Sequence, residues 1–98
     1  MSVTAETILA RDSEPAFVTL EDNAVLLSVR RGSYFSLNRV GTQIWNMLVE
    51  PRRVGDIFDV LARTHDVDAS AMTGDVVEFL ETLLKRQLVR VVDPDAIV

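Results

Sequence analysis

SYFSLNRVGTQIW, residues 33–45, begins as a strand and becomes a helix across a single asparagine. In Ser33 to Leu37, Phe35 and Leu37 fall on one face of an extended chain and Tyr34 and Ser36 on the other, the period of two of a β-strand. Asn38 is a residue type whose side chain accepts a backbone N–H at a helix N-terminus. Beyond it Val40, Ile44, Met47 and Leu48 recur at helical spacing until Pro51 forbids continuation. The stretch therefore predicts a strand that ends a sheet and a helix, about Arg39 to Val49, that leaves it at once. Proteins usually blunt an edge strand with Lys or Pro, and neither occurs between Ser33 and Leu37.

Upstream, Phe17 to Leu20 and Ala24 to Val29 are rich in Val, Leu and Phe. Glu21-Asp22-Asn23 and Arg30-Arg31-Gly32 separate the three apolar runs as hairpin turns. A three-stranded antiparallel meander follows. Residues before Pro15 are polar apart from a few such as Ile8 and Leu9, and residues 1–14 read as a loosely held, flexible arm. Downstream, Val54, Ile57, Phe58, Leu61 and Ala62 mark a second helix, closed by the polar stretch Arg63 to Asp68. A third helix, about Ala69 to Arg86, carries two apolar rows: Met72, Val76, Phe79 and Leu83, beside Val77, Leu80, Leu84 and Leu88. So wide an apolar arc needs cover on two sides. Leu88 to Val92 returns as a short extended segment, and residues 93–98 form a tail.

With 98 residues there is room for one domain, here 15–92, and a composition of 48% hydrophobic and 26% charged residues is that of a globular chain. No apolar run is long enough to span a bilayer and no signal peptide is legible, which places the chain in the cytoplasm. The absence of cysteine excludes disulfides and thiolate chemistry. A net charge of −5 argues against nucleic acid as partner.

The edge strand and the third helix together suggest a use. If the helix lies beside the edge, Ser33 to Leu37 offer backbone hydrogen-bonding groups on one wall of a groove, and Val76, Phe79 and Leu83 offer apolar surface on the other. That is the geometry of strand addition, in which an extended peptide completes a sheet. A plainer reading stands beside it: the helix is apolar because it is the core helix, and the arm or a homodimer covers the edge.

YFSLNRVGTQIWNML, VGDIFDVLARTHDVD and DVVEFLETLLKRQLV resemble the PqqD-like family, the recognition elements of ribosomally made (RiPP) precursor peptides. The resemblance runs from about Phe17 to Val92. It implies a small α+β domain, winged helix-turn-helix-like, with a three-stranded antiparallel sheet followed by three helices. It also implies a non-catalytic adaptor without cofactors that binds a leader peptide against its third strand and third helix and delivers it to a maturation enzyme. Carried over, the peptide-binding residues are Ser33, Tyr34, Phe35, Ser36 and Leu37 of the strand and Asp75, Val76, Phe79, Leu80 and Leu83 of the helix. The YFSLN stretch with Gly41 and Trp45 is most similar to stand-alone members of lasso-peptide clusters, whose partner is a leader peptidase. The alternative is a chaperone that presents a precursor to a radical SAM enzyme in quinone cofactor synthesis. One departure is Gln87, where many relatives have Gly at a helix terminus suited to positive φ.

Other sites fare less well. His65 is the one histidine and reads as a solvated loop residue; Asp56 and Asp59 read as the wet face of the second helix. No metal constellation or glycine-rich phosphate loop is present. A winged-helix DNA reader is disfavoured, because Thr64 to Leu84 hold Asp66, Asp68, Asp75, Glu78 and Glu81 and no Lys or Arg. Asp75 and Glu78 suit instead a basic residue of a peptide. Arg30, Arg31 and Arg39 bracket the strand and offer electrostatic contacts to an acidic part of the leader or of its enzyme. Trp45 reads as core, and Gly41, costly in a helix, signals close approach by a neighbouring element.

Overall fold

A computed structural model describes residues 3–12, 15–21, 23–28, 32–65 and 69–93. The meander is present as β2 (Ala16–Leu20), β3 (Asn23–Ser28) and β4 (Ser33–Leu37), followed by α1 (Arg39–Met47), α2 (Val54–His65) and α3 (Ala69–Lys85). The strand order is β2-β3-β4, with the β3–β4 register running from Ala24↔Leu37 to Ser28↔Ser33. Alternation places Ala24, Leu26 and Leu37 inside, under the helices. Asn38 caps α1, its side chain accepting the Gly41 N–H at 2.8 Å. The three helices close over the sheet through Ile44, Trp45 and Leu48, through Val54, Ile57 and Leu61, and through Val76, Leu80 and Leu83. No helix among the described residues is long and apolar enough to cross a membrane.

The N-terminal segment corrects the expectation of a flexible arm. Ile8–Arg11 form β1, the centre of a second three-stranded sheet between β5 (Arg52–Arg53) and β6 (Val89–Val91). Leu9 pairs with Arg52 on one side and Val91 on the other, and its side chain is fully buried. Val3 is also buried, with its N–H bonded to Glu81 Oε2 at 3.0 Å. Arg11 completes the attachment: its Nε donates to the Trp45 carbonyl at 2.9 Å, and its guanidinium lies 4.8 Å from the ring centroids of both Phe17 and Trp45. Partial burial there lowers the Arg11 pKa from its ordinary value. The segment therefore does not lie over β4.

The end of α3 answers the question raised by Gln87. The Gln87 N–H reaches the Leu84 carbonyl at 3.0 Å and the Leu88 N–H the Leu83 carbonyl at 2.9 Å, a Schellman closure with Gln87 at φ +61°. A residue with a Cβ is disfavoured there. Gln87→Gly is expected to raise stability by about 1 kcal/mol, an increase of about 4–8 °C in Tm for a domain of this size. Thermal unfolding checks it.

Candidate functional site: the groove beside the edge strand

Among the described residues β4 is paired on one side only, to β3, so it is the edge that its sequence predicted. Two contacts fix α3 relative to it. Near the middle of α3 the Phe79 ring lies so close to Gly41 that a Cβ at that position would sit 3.1 Å from Cζ. Just past its end the Arg86 guanidinium covers the Phe35 ring, 5.0 Å from the centroid. α3 thus runs antiparallel to β4, from the strand's C-terminal end towards its start.

Where α1 leaves the strand, an open groove of about 310 Å³ separates α1 from α3. Val40, Gly41 and Ile44 form one wall, Met72, Val76 and Phe79 the other, with Asn38 and Asp75 at the polar margin. Gly41 is what allows the helices this approach: the penalty of glycine in a helix is offset by seating the Phe79 ring against bare backbone. The margin carries the exposed carboxylate of Asp75, and Glu78 is exposed nearby on α3. At the other end of the strand Arg86 lies over Phe35 beside a separate cavity of only about 20 Å³.

The predicted binding residues divide on this geometry. Ser33, Ser36 and Tyr34 are exposed, with Tyr34 at 71% on the outer side of the sheet beside Leu27. Phe35 is half-buried under Arg86, and Leu37 belongs to the core. On the helix, Phe79 and Asp75 reach the groove and Val76, 4% exposed, lies at its floor. Leu80 and Leu83 do not reach it: both are 0% exposed and consumed by packing. The wide apolar arc conceals which row faces inward, since both rows are Leu- and Val-rich. Val40 and Met72 line the groove, although their sequence pattern marks them only as members of helical stripes. Arg30 and Arg31 lie outside the described residues.

Most of the remaining chemistry-bearing side chains have structural partners. His65 is not in a loop but ends α2, with Nε2 2.9 Å from Gln43 Oε1. Asp56 pairs with Arg53 at 3.3 Å, and Asp59 is exposed. Trp45 is buried, in edge contact with Phe17 at 5.9 Å between ring centroids.

The chain matches the family of coenzyme PQQ synthesis protein D (PqqD) over residues 23–89. It belongs to the PqqD family. The matched span begins at β3 and ends at the first residue of β6, so it contains β4, α1 and α3, all the elements that border the groove of this PqqD-family chain. A solved structure of TbiB1 in complex with the TbiA(beta) leader peptide is similar to it, with a TM-score of 0.76 and 30% identity over 83% of this chain and 94% of that one. None of the curated proteins matches the chain.

Proposed function

We propose that this protein captures the leader segment of a ribosomally made precursor peptide as an added strand on the outer edge of β4, and delivers the precursor to a maturation enzyme. The observation that carries the reading is the unpaired β4 edge, at whose C-terminal end the apolar α1–α3 groove opens. The similarity to TbiB1, whose structure holds a leader peptide, supports it.

Magnitudes explain why edge and groove act together. Four or five backbone hydrogen bonds contribute about 0.5–1.5 kcal/mol each, against about 1–2 kcal/mol per residue for ordering a flexible backbone. The edge alone therefore holds a peptide poorly. An apolar side chain buried in the groove adds about 1.5–3 kcal/mol, enough to tip the balance towards binding. A groove of about 310 Å³ is at the small end of ligand sites and takes one large side chain. Asp75 at its margin, with Glu78 exposed nearby on α3, favours a Lys or Arg beside that anchor.

No bond is made or broken in this role. The protein raises the effective concentration of the precursor at the enzyme that acts on it, and the family resemblance favours a leader peptidase of a lasso-peptide pathway as that enzyme. Exposed carboxylates on α3 speak against a DNA-reading role for that helix. The test is a titration of the isotope-labelled protein with the leader of its own precursor, followed by amide chemical shifts. Shifts are expected to concentrate in residues 33–41 and 72–79; a response confined to α2 or to the β1 sheet would refute the reading.

A further inference from the structure

On the far side of α1 from the groove lies an open cleft of about 710 Å³ between α1, the end of α2 and the β2–β3 turn. Arg39, Thr42, Gln43 and Asn46 face it, and their spacing of three, four and seven residues makes them one stripe of the helix. Val40, Gly41 and Ile44, which border the groove, occupy the nearly opposite stripe. A single short helix therefore separates two concave surfaces of different chemistry, one apolar and one polar.

We infer that this cleft is a second docking site, which takes an acidic segment of the protein to which the leader is handed. The inference rests on the leader-binding reading for its purpose, though its chemistry stands on the cleft alone. Although the chain is acidic overall, among the described residues Arg39 and Arg52 border the cleft against one carboxylate, that of Glu21. Among the described residues Arg39 has no ion pair, and Arg52 is held by its Nε, which donates to the Met47 carbonyl at 3.0 Å and leaves the terminal nitrogens for a ligand. Neighbouring Arg53 is different, because Glu6 at 3.5 Å and Asp56 at 3.3 Å already take its charge.

Thr42 supplies an independent sign. It forms part of the cleft wall, is 5% exposed, and its buried hydroxyl has no hydrogen-bond partner among the described residues. Buried hydroxyls are normally satisfied, and this one is left to pair with a group that enters the cleft. Gln43, whose amide oxygen is turned to His65 and whose Nε2 donates to Thr64 Oγ1 at 3.3 Å, keeps its second N–H on the same wall, and Asn46, whose Oδ1 accepts from Arg11 at 3.4 Å, keeps its amide N–H groups there. The width and mixed lining suit a polypeptide. Two arginines are too few for a nucleic acid. Because the two surfaces lie on different sides of α1, leader and enzyme can be bound together, as tethering requires.

The experiment titrates the full-length labelled protein, without leader, with an acetylated and amidated peptide of four glutamates, with its lysine counterpart and with acetate. The glutamate peptide is expected to shift amides of residues 39–46, 52 and 64–65 but not those of 72–79. Arg52→Glu should weaken it about tenfold while leaving leader affinity unchanged, Arg39→Glu should weaken it further, and Glu21→Gln should strengthen it about twofold. No saturable shift, equal response to the lysine peptide, acetate matching the peptide per carboxylate, or indifference to Arg52→Glu would each overturn the inference. Loss of leader binding with the glutamate response intact would instead remove the leader reading alone.

Discussion

Phe79→Asp is expected to weaken leader binding by about ten- to a hundredfold. The ring forms one wall of the groove and lies against the bare backbone of Gly41. Without it the peptide's apolar anchor loses its cover, and burial of one such side chain is worth about 1.5–3 kcal/mol, where 1.4 kcal/mol is a factor of about ten. The new carboxylate would also stand one helical turn from Asp75, a like-charge pair that discourages any apolar group between them. Because Phe79 packs partly on the core, the variant's melting curve is measured alongside its affinity. Met72→Asp, on the same wall nearer the start of α3, is the companion variant and should weaken binding in the same direction. Unchanged affinity in either folded variant would contradict the groove as anchor site.

Leu9→Ala should destabilise the protein by about 2–5 kcal/mol, the range for emptying a well-packed leucine site, and lower Tm by about 10 °C or more. Leu9 is fully enclosed and its strand is hydrogen-bonded on both sides. Were residues 1–14 a loose arm, the same substitution would change stability by no more than about 0.5 kcal/mol. Thermal or denaturant unfolding separates the two.

That contrast shows where the sequence stops being legible. β2, β3 and β4 could be read because short turns join them and each run carries its own strand chemistry. β1 has four residues with the two central ones buried, so it shows no alternation. Its partners, β5 and β6, lie some forty and eighty residues away, with no hairpin to announce them. Pairing at that separation is decided by the packed fold, not by local pattern. The helices were legible from period and caps, to within two or three residues at their ends.

The site was legible to a similar depth. The edge followed from the composition of Ser33 to Leu37, and the close approach at Gly41 followed from the cost of glycine inside a helix. Which apolar residues of α3 remained available did not follow. Two rows of similar hydrophobicity present the same pattern, and only the position of α1 decides that Phe79 opens to the groove while Leu80 and Leu83 close the core. His65 escaped for a related reason. Its partner, Gln43, is twenty-two residues earlier on another helix.

The central claim is that the leader becomes a strand on β4, and hydrogen exchange of the β4 amides tests it most directly. In an antiparallel edge strand alternate N–H groups point outward, so leader binding should slow exchange at every second amide between Ser33 and Leu37 and leave the intervening ones, already bonded to β3, little changed. Saturating leader that leaves exchange across all five amides unaltered would contradict the account.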